Sequence, residues 1–222
     1  MSNLPKLEIS SQKTSTRTTV EYEQLAENSI NILGEAYREA PGLIRIQILG
    51  SRQDFLDVIG KESAPDWLVA YVPQNSASTI VLLDNEQNPL SSLMLSKILT
   101  HEIAHLYTNI LNRELPDWVK EGISMQLAQQ VKIRTVTASN WDRISPQGEP
   151  FSGITWQAAA EVNGYEIAGL ILCFLFERYG MKNIFDSLKG YTDGSVFLHL
   201  QQRGLDDASA IIDKMKSSLI EN

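Results

Sequence analysis

The chain has 222 residues, of which 43% are hydrophobic, with a formal net charge of −8 and one cysteine. That length and composition suit one domain with a substantial core, or a domain with a small helical appendage. The acidic balance, with a pI near 4.9, argues against a nucleic-acid or anionic-membrane partner, because phosphate groups are repelled by the average surface. A lone cysteine excludes an internal disulfide, and Cys173, set among Leu172, Phe174 and Leu175, is predicted to be a buried, inert thiol.

Residues 1–19 are rich in Ser, Thr and Lys and lack the apolar core of a signal peptide. As written, the protein is expected to be cytoplasmic, or exported or anchored if an upstream signal precedes this sequence. Residues 4–9 and 14–22 contribute an edge strand or form a flexible arm. Residues 23–40 read as an amphipathic helix ended by Pro41 and Gly42, and residues 43–49 as a strand with Ile44, Ile46 and Ile48 on one face. Ser51 caps a short helix through Ile59, with Asp54 at capping-box distance. Residues 67–72 and 79–83 read as two further strands joined by a turn-rich segment.

Residues 93–111 read as one long helix, apolar almost all the way round, which predicts a path through a core. Asn88 and Pro89, or Ser91 and Ser92, supply its start signals. It carries His101, Glu102 and His105, although the chain has only three histidines. In a helix, His101 and His105 stand one turn apart on one face, close enough to share an ion. Glu102 is placed to hold a water on that ion and accept its proton, the HExxH arrangement of zinc peptidases. A turn of about five residues follows, and then a helix in which Pro116 suits the first position and Trp118, Val119, Ile123 and Leu127 form an apolar face. Folding back of this helix brings Glu121 towards the two histidines as a third ligand, with a fourth position left for water. Gly122, beside it, lets another backbone approach.

Residues 101–128, HEIAHLYTNILNRELPDWVKEGISMQLA, resemble the gluzincins, and among them the peptidase MA-like domains, in which HExxH is followed after a short turn by W-x-x-E-G. Trp118, Glu121 and Gly122 match that pattern. The resemblance implies a zincin-like fold, one Zn2+ held by His101, His105 and Glu121, and Glu102 as general base. It also implies a later helix that begins with a Tyr and ends in Tyr-Gly, matched here by Tyr165, Tyr179 and Gly180; the phenol of Tyr165 is then the donor to the oxyanion. One departure is Met125, where thermolysin-type relatives have an acidic residue that orients a histidine, so that task falls to Thr100, Asn109 or a backbone carbonyl.

Residues 132–155 are punctuated by Ser, Pro and Gly and are expected to form a long surface connection flanking the cleft. Residues 167–176 are strongly apolar but too few to span a bilayer, which predicts a buried helix and no membrane span in this chain. Residues 181–188, 196–202 and 206–220 complete a helical region. His199, alone on a largely apolar helix, reads as a packed residue.

The sequence therefore predicts an α+β, zincin-like domain over residues 20–222, with a small mixed sheet packed on the HExxH helix (N-terminal lobe, 20–111) and a mainly helical C-terminal lobe (112–222). The expected function is zinc-dependent hydrolysis of peptide bonds in a peptide or protein substrate. The free-amine signature of aminopeptidases is absent, which favours an endopeptidase. The alternative is a zinc-binding module of the same fold that is catalytically silent and serves as a scaffold. Residues 78–84, if an exposed edge, are expected to bind an extended peptide by strand addition.

Overall fold

The computed structural model describes residues 4–12, 17–73, 76, 78–85, 89–132, 136–145, 150–205, 215 and 217. The chain divides into two compact units, Met1–Ile110 and Leu111–Asn222. The architecture is α+β, with a small mixed sheet in the first unit and mostly helix elsewhere. No helix among the described residues is long and apolar enough to cross a membrane.

In the first unit, β1 (Lys6–Ser11), β2 (Leu43–Leu49), β3 (Ala70–Tyr71) and β4 (Thr79–Leu83) lie in the order β1-β2-β4-β3. The first two pairings are parallel and the last is antiparallel. Register aligns Ile46 with Ile80 and Ile48 with Leu82, so one face is a continuous apolar surface, buried throughout. The opposite face contributes Leu49, Val81 and Leu83, which close over Phe55 of α2 (Arg52–Ile59). The edge strand expected over residues 4–9 thus forms as β1, two residues further along the chain. Residues 78–84 do not form one: β4 lies between β2 and β3, paired with β2 over residues 79–83 and with β3 at Val81 and Leu82, so it is not the exposed edge on which strand addition depended. Residues 67–72 shrink to the two-residue β3, because a turn in which Leu68 N–H donates to the Pro65 carbonyl occupies the start of that stretch.

Helix α1 (Thr19–Ala36) begins four residues before its expected start. Thr18 accepts from the Glu21 N–H while the Glu21 carboxylate accepts from the Thr18 N–H at 2.8 Å, a complete capping box. At α2 the Ser51 cap forms as expected, but the Asp54 carboxylate takes the Gln12 amide at 3.1 Å instead of closing a box. A buried carboxylate, Asp84, follows β4. It accepts from the Arg17 guanidinium, from the Tyr22 hydroxyl at 2.9 Å and from the Leu90 N–H at 3.3 Å. Such a charge is tolerable in a core only because it is paired and hydrogen-bonded.

Helix α3 (Ser92–Leu111) starts at Ser91, whose hydroxyl accepts from the Met94 N–H. It is not buried all round: Leu93, Met94 and Ile110 are exposed near its ends. Its buried face meets α1 through two hydroxyl pairs, Ser29 with Thr100 at 2.9 Å and Tyr37 with Thr108 at 2.7 Å. Ser29 precedes Tyr37, the C-cap of α1, by eight residues, and Thr100 precedes Thr108 by eight, so α1 and α3 run in the same direction along this contact. Burial pushes the Tyr37 phenol far above its ordinary range, and the hydrogen bond with Thr108 offsets only part of that rise.

The second unit is built around α4 (Asp117–Leu127) and α7 (Gly164–Tyr179), with α5 (Ala138–Ile144), α6 (Trp156–Ala160), α8 (Met181–Leu188) and α9 (Val196–Gln202). A Cβ on Gly122 would lie 2.6 Å from the Ala168 carbonyl oxygen, and one on Gly169 would lie 3.2 Å from the Met125 Cβ. The two helices therefore touch backbone to backbone at Gly122 and backbone to side chain at Gly169, closer than larger residues allow. Residues 132–155 are not simply a surface connection, because α5 lies within them and buries Trp141 and Ile144. Of residues 206–220, only 215 and 217 fall within the described residues. The His199 ring N–H donates to the Ser187 carbonyl at 2.9 Å and its ring meets Tyr191 edge-on, the packed role expected of it.

Cys173 is half-exposed, not buried, because it lies on the rim of α7 beside Glu177, to whose carboxylate its thiol donates at 3.5 Å. Desolvation and then the Glu177 charge push its pKa up. Alkylation by iodoacetamide at pH 7 is expected to be slower than for a model thiol and to accelerate as pH rises. Gly122→Ala is expected to lower unfolding free energy by about 1–3 kcal/mol in urea titrations, since a backbone carbonyl cannot step aside. Gly34→Ala in α1, with no atom within 4 Å of the new methyl, is expected to stabilise by about 0.4–1 kcal/mol.

Candidate metal centre

Three side chains with metal-ligand chemistry come together: His101, His105 and Glu121 offer one ligand atom each, all within 4.8 Å of one another. They could hold a metal ion. The two histidines come from α3. On that helix the buried residues Leu99, Thr100, Ile103, Ala104, Tyr107 and Thr108 take one side. Ile98, His101, Glu102, His105 and Asn109, spaced three, one, three and four apart, form a second stripe that is only half-buried. The hydroxyl pairs to α1 hold the first stripe and so set the rotation of the second. Thr100 is spent on this task, bonding Ser96 and Ser29, and does not serve as an imidazole's partner.

The imidazoles approach through their Nε2 atoms, 3.1 Å apart, with ring planes at 72°. At that distance the nitrogens either share one proton or both turn lone pairs towards a cation. Two nitrogens about 2.0–2.1 Å from a tetrahedral ion stand about 3.3 Å apart, so the pair fits such an ion with little adjustment. Glu121 completes the set with a hard oxygen donor, and two imidazoles with one carboxylate suit a first-row divalent cation. Among the described residues the group has three members.

Glu121 sits in the second turn of α4. The turn before it is fixed at both ends: the Asn112 amide donates to the carbonyls of Leu188 and Tyr191 at 2.9 and 2.7 Å, and its oxygen accepts from the Glu114 N–H. Pro116 caps α4 one position before the predicted first turn, and Asp117 lies in that turn, where its charge complements the helix dipole. Gly122 then sets the distance to α7. Met125, one turn on, is buried against Gly169, so it fills the helix contact where an acidic residue was the alternative.

Tyr165 is the second residue of α7 and stands one turn before Ala168, on the face that meets α4. Its position is firm because a Cβ on Gly164 would lie 2.6 Å from the Ala159 carbonyl oxygen, so the helix starts hard against α6. Its ring takes the Trp156 ring edge-on, centroids 4.9 Å apart. Trp118, one turn before Glu121, stacks on Phe151 at 5.3 Å and on Phe197 at 5.7 Å, and Phe151 in turn meets Trp156 at 5.8 Å. Phe151 and Trp156 were not among the expected site residues; in the sequence they show only as two aromatic residues in an otherwise polar, Gly- and Pro-rich stretch. No family model matches the chain, and no curated protein matches it.

Cobalt(II) titration is expected to give one tetrahedral absorption band per chain in the parent. His105→Ala and Glu121→Ala should each weaken binding by more than about 100-fold, since loss of a ligand exceeds the 10–100-fold effect of losing an outer hydrogen-bond partner. In the parent, metal at 100 times its dissociation constant should raise stability by about 2.7 kcal/mol, and the shift should vanish in His105→Ala.

Proposed function

We propose that the chain is a zinc-dependent peptidase of the gluzincin type, with a zincin-like fold and a peptide or protein as substrate. The observation that carries this reading is the convergence of His101, His105 and Glu121, with Glu102 on the same half-buried stripe of α3 as the two histidines. Two Nε2 atoms and a carboxylate oxygen make the donor set of a catalytic zinc, and three protein donors leave one of four positions to water or substrate. A closed structural site would call for a fourth protein ligand, and none joins the group among the described residues.

When bound, zinc acidifies a coordinated water towards a pKa of ~7 and polarises a carbonyl oxygen. Every other step falls to the chain. Glu102 accepts the proton of the attacking water and delivers it to the departing amine, the acid–base work that a carboxylate beside the first ligand is placed to do. Tyr165 donates its phenolic hydrogen to the oxygen on which negative charge develops.

Glu102→Gln is expected to keep cobalt affinity and to lower kcat/KM on an internally quenched peptide library by about 10²–10⁴-fold. Tyr165→Phe should lower kcat by about 10²–10³-fold with little change in KM. Full hydrolysis by Glu102→Gln would remove the general-base assignment. Stoichiometric metal with no hydrolysis of any library member by the parent would instead make the chain a zinc-binding scaffold.

A further inference from the structure

Phe151 combines two features that seldom occur together. Its φ is +64°, in the left-handed region that a bulky side chain avoids, and its ring is wedged between two tryptophans. The backbone is held there by its N–H, which donates to the Ile144 carbonyl at 2.8 Å, and by a ring stacked nearly parallel on Trp118, with an interplanar angle of 6°. Strain of this kind persists only where surrounding contacts impose it, and it concentrates at working sites. Glycine would meet the backbone demand freely, so the ring is what the position retains.

Following the rings outward shows what the wedge connects. On one side Trp118 belongs to the first turn of α4, one turn before Glu121. On the other, Trp156 opens α6 and meets Tyr165, the second residue of α7. The Gly122 to Ala168 contact sets how near α4 and α7 lie. It leaves rotation of each helix's first turn to other contacts, and the ring series Trp118, Phe151, Trp156, Tyr165 supplies them.

We propose that Phe151 is a positioning residue of the metal centre, holding the Glu121 turn of α4 and the phenol of Tyr165 in one fixed geometry. This rests on the roles given above to Glu121 and Tyr165. In this role Phe151 acts through Trp118 and Trp156, the rings it contacts. The strained backbone is retained because the ring must sit at that point, and stability is given up for it.

The test uses the full chain with 3-fluorotyrosine at position 165 alone, read by 19F NMR, together with cobalt(II) affinity and thermal midpoint. Phe151→Gly relieves the backbone and removes the wedge. It is expected to hold or raise the thermal midpoint, to broaden or split the single 19F resonance of the parent, and to weaken cobalt binding about 10–100-fold. Phe151→Tyr keeps the ring and should match the parent in both readouts. Phe151→Leu keeps apolar bulk and loses stacking, so it should show the same two losses even if the glycine variant does not fold. A parental resonance and parental cobalt affinity in Phe151→Gly or Phe151→Leu would overturn the proposal. Failure of the parent itself to bind cobalt would overturn the metal reading, and the 19F comparison would then decide the role of Phe151 by itself.

Discussion

Three side chains that could hold one ion do so only on helices that cannot drift, because a displacement of about 1 Å at a backbone is enough to lose a ligand. In α4 that rigidity begins with an absent atom. Gly122 brings the Ala168 carbonyl to within 2.6 Å of where a Cβ would be, and Gly169 returns the favour opposite Met125. Helices that approach so closely have few alternative packings, since any sliding drives a side chain into a backbone. Glu121 is the residue next to this contact, so its place follows from it. Met125 has the same explanation: a carboxylate there would be buried in the helix contact with no space for a partner.

Helix α3 meets a different constraint. It must bury one face deeply enough to be immobile and keep the other sheltered but accessible to chemistry. Side-chain hydroxyls accomplish the first task. Ser29 with Thr100 and Tyr37 with Thr108 each contribute about 1 kcal/mol net as hydrogen bonds. Their larger effect is on register, because a helix that slips by one residue leaves two buried hydroxyls unpaired. A purely apolar seam would tolerate that slip. The polar pairs on one side of α3 therefore specify where His101 and His105 point on the other. Asp84 acts similarly at the start of this helix, tying Arg17, Tyr22 and the Leu90 backbone to one buried carboxylate.

Local patterns in the sequence carried most elements. Residues 43–49 alternate with period two and form a strand with those bounds, and the apolar run of residues 93–111 forms α3. Departures from those patterns occur where a tertiary partner overrides a local signal or where a cap lies upstream of the apolar run. Asp54 had the spacing for a capping box, yet Gln12 from a distant strand end claimed its carboxylate. Thr18 and Glu21 had the same spacing and did close, which moved α1 forward. Residues 132–155 read as loop because their Pro and Gly content hid a seven-residue helix stabilised by the burial of Trp141.

The sequence by itself determined which residues could be ligands. Helical spacing places His101 and His105 on one face whatever surrounds them, and a turn as short as residues 112–116 leaves Glu121 few places to go. Tertiary structure decided what spacing cannot encode. The order β1-β2-β4-β3 put β4 inside the sheet, because strand neighbours are chosen by which apolar faces cover one another and not by chain order. The linkage of Trp118 to Tyr165 through Phe151 and Trp156 likewise spans 47 positions of sequence. Ring-to-ring contact depends on distances in space, and nothing in the local pattern of any one of those four residues specifies the other three.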